Sequence, residues 1–100
     1  MAPKAKIAIE NVNKPGRTIS VDADKYLAMK AAVLAVLPTS APGLTLVELR
    51  DRLGSHLPES LFPAGAKAGW WMMGVQLDLL AKGVIARDGG KPIRLHQVNL

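Results

Sequence analysis

Apolar positions along the chain change their period several times, and each change marks an element. Ile7-Ala8-Ile9-Glu10 fits a short strand. Arg17-Thr18-Ile19-Ser20-Val21 alternates apolar with polar and is rich in β-branched residues, which predicts another. Between them, Pro15-Gly16 suits the two central positions of a type II turn. The pattern permits either a hairpin or a loop followed by one strand. Asp22 then caps a helix over residues 23–37, with Tyr26, Met29, Ala32 or Val33, Val36 and Leu37 on one stripe. Pro38 ends it, and residues 39–43 read as a loop.

Thr45-Leu46-Val47-Glu48 matches a capping box, so a second helix opens at Thr45. Its buried stripe is Leu46, Leu49 and Leu53, continued by Leu57 and stopped at Pro58. Leu61 and Phe62 are expected to point inward from the next connection. A third helix is predicted from Gly65 or Ala66 to Lys82, with Gly83 as its left-handed C-cap. Residues 84–87 and 92–98 are strands around the tight-turn signal Asp88-Gly89-Gly90-Lys91.

That succession resembles a winged helix-turn-helix: α+β, three helices, a C-terminal β-hairpin wing and a short N-terminal strand or hairpin. The resemblance rests on the capped helix at Thr45, the long third helix, its Lys82-Gly83-Val84-Ile85 exit and the glycine-tipped turn. It assigns residues 17–98 to the winged-helix domain and residues 1–16 to a flexible segment that contains at most a short strand. Asn13-Lys14-Pro15-Gly16-Arg17, Leu61-Phe62-Pro63, Gly69-Trp70-Trp71 and Gln76-Leu77-Asp78-Leu79 also resemble a family of short bacterial proteins of unknown function. That second resemblance implies no activity.

The third helix carries the most information. With Leu79 facing the core, Ala68, Met72 and Val75 share its inward face and Gln76 lies near the edge. Lys67, Trp70, Gly74, Leu77 and Ala81 turn outward, with Met73 and Asp78 beside them. If Leu77 and Leu80 define the core instead, Trp71, Gly74 and Asp78 turn outward. In either phase the outer surface is poor in the Arg, Lys, Asn and Gln that read base edges. A helix apolar nearly all round needs cover on both sides. Residues 7–21 folding back, a second copy of the chain, or another partner could supply it. Trp70, Met73 and Leu77 are the candidate interaction residues. The two tryptophans point about 100° apart and cannot form one flat platform, so at least one belongs to the core.

Charge adds one more possibility. The chain carries a net +5, spread rather than clustered. This favours anionic partners and also serves simple solubility. If duplex DNA is bound, phosphate contacts should dominate, from Lys67 on the third helix and Arg87, Lys91 and Arg94 around the wing. The ordinary reading of those wing cations is a solvated edge that discourages pairing with other chains. Arg50 and Arg52, with Glu48 and Asp51 nearby, read first as local ion pairs.

Catalytic and metal chemistry find no support. There is no cysteine, His56 and His96 lack ligand-type neighbours, and no serine sits in an elbow-type glycine frame. Gly65-Ala66-Lys67-Ala68-Gly69 lacks the Gly-Lys-Ser/Thr ending of a phosphate-binding loop. The expectation is a non-enzymatic, self-associating binding module without cofactor, metal or membrane span. With no secretory signal in view, it reads as cytoplasmic. Its class is either nucleic-acid-associated or purely a protein-interaction or dimerisation module.

Overall fold

The alternating N-terminal segments close on each other. A computed structural model describes residues 5–98 of the chain. β1 (Lys6–Glu10) pairs antiparallel with β2 (Thr18–Asp22), placing Ile7 opposite Val21 and Ile9 opposite Ile19. At the tip, the Arg17 N–H donates to the Lys14 carbonyl at 3.2 Å and Gly16 takes φ +85°. Pro15 and Gly16 therefore occupy the turn centre, and the hairpin alternative is the one that forms. The part of the expected flexible segment before residue 5 lies outside the described residues.

Asp22 ends β2 and caps α1 (Ala23–Val36), its Oδ1 accepting from the backbone N–H groups of Asp24 and Lys25 at 2.9 and 3.3 Å. Tyr26, Met29, Ala32 and Val33 form its buried stripe. At the far end, Gln97 Nε2 donates to the carbonyls of Leu34 and Leu37, both at 2.7 Å. Those carbonyls have no partner within the helix, so a residue from the last strand closes it.

Residues 39–43 form the expected loop, and a strand the sequence did not indicate follows it. Leu44 and Thr45 make a two-residue strand, β3 (Leu44–Thr45), that pairs with the end of the chain. α2 (Leu46–Leu53) then opens with the anticipated box: the Glu48 N–H donates to Thr45 Oγ1 at 3.1 Å and the Thr45 N–H to Glu48 Oε1 at 3.0 Å. The Thr45 N–H, then the Thr45 side chain, hold the Glu48 carboxyl below its usual range, with smaller help from Arg94 and Arg52. The lowered value means the cap acts above the ordinary carboxyl range and is lost as pH falls through it. Leu49 and Leu53 are buried, whereas Leu46 is only half-buried. Leu57 does not continue the helical stripe, because a 3₁₀ turn over Gly54–His56 intervenes.

α3 (Ala68–Ala81) starts two or three residues later than its sequence suggests. The chain first passes through a 3₁₀ turn over Pro63–Gly65 and three left-handed residues, Ala64 (φ 52°), Gly65 (φ 74°) and Lys67 (φ 59°). No helix can propagate through such backbone. At its other end Gly83 takes φ 73°, and the Val84 N–H returns to the Leu79 carbonyl at 2.9 Å. This is the glycine-ended C-cap the sequence indicates. β4 (Ile85–Asp88), shifted by one residue, and β5 (Arg94–Gln97), shorter than expected, follow, with Pro92 left in the turn. The second sheet runs β3-β5-β4, wholly antiparallel, so the whole is α+β with three helices and two small sheets.

One core joins these layers. Tyr26, Met29 and Val33 of α1 meet Leu49 and Leu53 of α2, Met72, Val75 and Leu79 of α3, and Ile85 and Leu95 of the sheet. The hairpin adds Ile9 and Val21. Asp78 departs from its expected outward position and is fully buried at 0% exposure. Its Oδ1 accepts the Glu10 N–H at 2.8 Å, its Oδ2 accepts the Tyr26 hydroxyl, and Lys82 lies one turn on with Nζ 2.8 Å from Oδ1. A helical wheel treats an acid as a surface residue. Here β1 arrives over that side of α3 and supplies donors that water would otherwise provide.

Three substitutions and one titration test this arrangement. Asp78→Ala is expected to cost about 1–3 kcal/mol in denaturant titration, since it leaves the buried Tyr26 hydroxyl and the Glu10 N–H without their acceptor. Burial, then the Asp78 contact, pushes the Tyr26 phenol well above its ordinary 10.0. Its contribution to stability is thus complete below that value and is lost as pH rises beyond it. Tyr26 is the single tyrosine, so a phenolate absorbance titration reads it alone. Gly43 has φ +87°, and a Cβ there would overlap the Leu95 carbonyl, so Gly43→Ala should cost about 2 kcal/mol or more. Gly74→Ala should do the opposite, gaining roughly 0.5–1 kcal/mol, because its Cβ would meet only Ile9 Cδ1 at 3.7 Å.

Candidate functional site

The hairpin covers only half of the outer face of α3. Ile9 packs toward Gly74, and Ile9, Gly74 and Leu77 line the same small hollow under the hairpin. Leu77 is consequently half-buried. Toward the start of the helix, Trp70 is 56% and Met73 41% exposed. The three interaction candidates are thus divided: Trp70 and Met73 stand open, and Leu77 is partly enclosed within the chain's own hairpin. Both phases drawn from the sequence miss part of this. Trp71, Met72, Val75, Gln76, Asp78 and Leu79 are all buried, so the covered side of α3 is wider than one apolar stripe.

The two tryptophans take different roles. Trp71 is 7% exposed and meets the buried Phe62 ring edge-on, with centroids 6.3 Å apart at 82°. Trp70 meets Trp71 at 80° with centroids 5.1 Å apart. They make a corner rather than a platform, and Trp71 anchors it in the core.

Two elements bring cations to this corner. Lys25 of α1 and Lys67, the residue preceding α3, line an open pocket of about 460 Å³ with Trp70 and Trp71. That volume falls within the roughly 300–1,000 Å³ of small-molecule sites. Among the described residues, no ion pair engages either ammonium. On the α2 side, the Arg50 guanidinium lies so close over Gly69 that a Cβ there would overlap it. The first turn of α3 holds no acid and no side-chain cap. Its free N–H groups add partial positive charge to that of the side chains. Asp22, the nearest cap acid along the chain from Lys25, is turned to the first turn of α1.

Arg87, Lys91 and Arg94 are not gathered with Lys67. Strand register places Arg87 opposite Leu95 and Asp88 opposite Arg94, so Arg87 and Arg94 lie on opposite faces of the sheet. Arg87 Nη2 donates to Asn13 Oδ1 in the hairpin tip at 3.0 Å. Arg94 Nη1 sits 3.4 Å from both Glu48 Oε1 and the Gly43 carbonyl. Lys91 is exposed in the turn. Of the four sequence candidates for phosphate contact, only Lys67 joins the aromatic corner. Lys25 joins it by folding alone, since it lies 42 residues upstream of Lys67.

The described residues hold no group of three His, Cys, Asp or Glu that could bind a metal, and no helix long and apolar enough to cross a membrane. His56 is exposed in a 3₁₀ turn, while His96 stands on β5 with Nδ1 buried and unpartnered.

A family model described as a family of unknown function, DUF6958, matches residues 6–95. The chain belongs to the DUF6958 family. No curated protein and no solved structure matches it. The family match takes in β1 and the first half of β5, so it spans the hairpin together with the helices and most of the second sheet. In this DUF6958 chain the hairpin, by occupying one half of α3, defines the open half as the exposed site.

The contrast between the tryptophans is measurable. Trp70→Phe should leave blue-shifted emission that acrylamide quenches poorly, from Trp71 alone. Trp71→Phe should leave red-shifted, readily quenched emission. Equal quenching of the two variants would contradict the burial of Trp71.

Proposed function

We propose that this DUF6958 chain is a non-enzymatic binding module of the winged-helix class that associates with nucleic acid through the amino end of α3. The observation carrying this reading is an exposed Trp70 set between two unpaired lysines, Lys25 and Lys67. Cations that track phosphates, combined with an aromatic ring, are the usual ingredients of such a surface. The fold supports the class: a short strand before α2 pairs with the last strand, which lies central in the β3-β5-β4 sheet beside three helices. The sheet hairpin β4–β5 then corresponds to the wing. Base-edge reading by α3 is not part of the proposal, because the open part of the helix offers Trp70 and Met73 rather than amide or guanidinium groups.

A second reading rests on a separate observation. Val47 of α2 is 71% exposed and borders the same side of the molecule as Met73, with Gly69 and Met72 between them. Exposed apolar side chains on two adjacent helices suit a protein contact, including a homodimer.

Fluorescence anisotropy with labelled duplex and single-stranded DNA, at low and moderate salt, tests the first reading. The expected result is binding that weakens steeply with salt. Changing Lys25 and Lys67 together to alanine should flatten the slope of log K against log salt by about 1–2. Absence of binding to either DNA at low salt rejects it. Light scattering tests the second reading: a homodimer should be dispersed by Met73→Asp, and a native chain that stays monomeric at high concentration rejects self-association.

A further inference from the structure

We infer that the corner formed by Lys25, Lys67, Trp70 and Trp71 receives one unstacked nucleotide unit of a single strand, its base on the Trp70 ring and its phosphate between the two ammonium groups. This rests on the nucleic-acid reading above and narrows it from a charged surface to a site and a strand form.

Three independent features converge on that ligand. The first is the aromatic surface. Trp70 is more than half exposed although it sits against Trp71, because the rings meet at 80° instead of stacking face to face. A planar ring can lie against such a surface only if its own face is free. Bases inside a duplex are stacked on both faces, whereas those of a single strand can splay out onto an aromatic side chain. The second is charge. Lys25 and Lys67 come from different elements, line the same pocket, and have no ion-pair partner among the described residues. The third is rigidity. Trp71 is locked into the core against Phe62, and Trp70 is the next residue on a 14-residue helix. The stacking ring is therefore held at a fixed place relative to both cations, which lowers the ordering cost of binding.

Competing features of the molecule lack this combination. The hollow under the hairpin is lined by Lys14 and Arg17 but also by Glu10, and its apolar floor is Ile9, Gly74 and Leu77, with no aromatic ring. The groove between α2 and α3 is mostly apolar and carries Asp51 beside Arg50.

The chain's only two tryptophans are those of the corner, so intrinsic fluorescence reports this site alone. The native chain is titrated with a short oligothymidylate, with thymidine monophosphate, with thymidine, with inorganic phosphate, and with a duplex of the same length as the strand. The expected result is saturable quenching by the oligothymidylate that weakens as salt rises, with no quenching by phosphate alone. Trp70→Ala should weaken strand binding, read by anisotropy of a labelled strand, roughly five- to a hundredfold. Because Trp70 is exposed, that variant should keep its melting temperature. The Lys25→Ala, Lys67→Ala pair should likewise weaken the strand without changing the fold. Quenching by thymidine monophosphate as well would show that one nucleotide suffices, whereas quenching by the strand only would show that neighbouring phosphates contribute. Either supports the site. Quenching by thymidine equal to that by thymidine monophosphate removes the role of the lysines and overturns the inference. Duplex binding without quenching by the strand overturns it too, while leaving the broader nucleic-acid reading intact. If no nucleic acid binds at all, both fall together.

Discussion

A carboxylate enclosed by three elements holds this molecule in its shape. Asp78 sits on α3, yet its partners come from β1, α1 and the last turn of α3 itself. An ionised side chain without water is tolerable only when every lone pair is engaged. That requirement fixes the hairpin over the carboxyl half of α3 and the phenol of Tyr26 beneath it. Lys82 completes the arrangement, with its ammonium 5.7 Å from the Tyr26 ring centre as well as against the carboxylate. Apolar packing from Ile9 and Val21 supplies affinity between hairpin and helices, but the buried charge specifies the docking position.

The exposed site follows from where that docking stops. β1 is five residues long and engages α3 at Asp78 and Gly74, which leaves the helix start uncovered. The same region lacks a capping side chain, enters through left-handed backbone, and carries Lys67 and Trp70. Strain and open backbone donors are tolerated there because Phe62 and Trp71 anchor both sides of the entry in the core. The core thereby furnishes a rigid base under the exposed Trp70 ring.

The second sheet contributes in another way. Gln97 closes the carboxyl end of α1, and Gly43 lets β3 press against β5 where any Cβ would collide with the Leu95 carbonyl. Arg94 reaches across to the Glu48 of the capping box. Arg87 and Arg94 are thereby committed to the chain's own polar groups, one on each face of the sheet. A DNA contact by either would have to compete with those bonds, whereas Lys25 and Lys67 are free to meet an anion.

By itself, the sequence determined the features that short-range physics governs. The Asp22 cap, the Thr45–Glu48 box, the Pro15-Gly16 turn and the Gly83 helix end each depend on a few neighbouring residues, and each formed as read. Strong periodicity likewise placed Met72, Val75 and Leu79 inside. Tertiary structure alone decided the rest. Asp78 looked like a surface acid because its donors are distant along the chain, Glu10 being 68 and Tyr26 52 residues away. The two-residue β3 carries too little pattern to be seen until β5 pairs with it. The grouping of Lys25 with Lys67 and Trp70 has no local signature, since charge and ring become one site only when α1 and α3 pack together. Local rules fix conformation along the chain, but burial and proximity are properties of the packed whole.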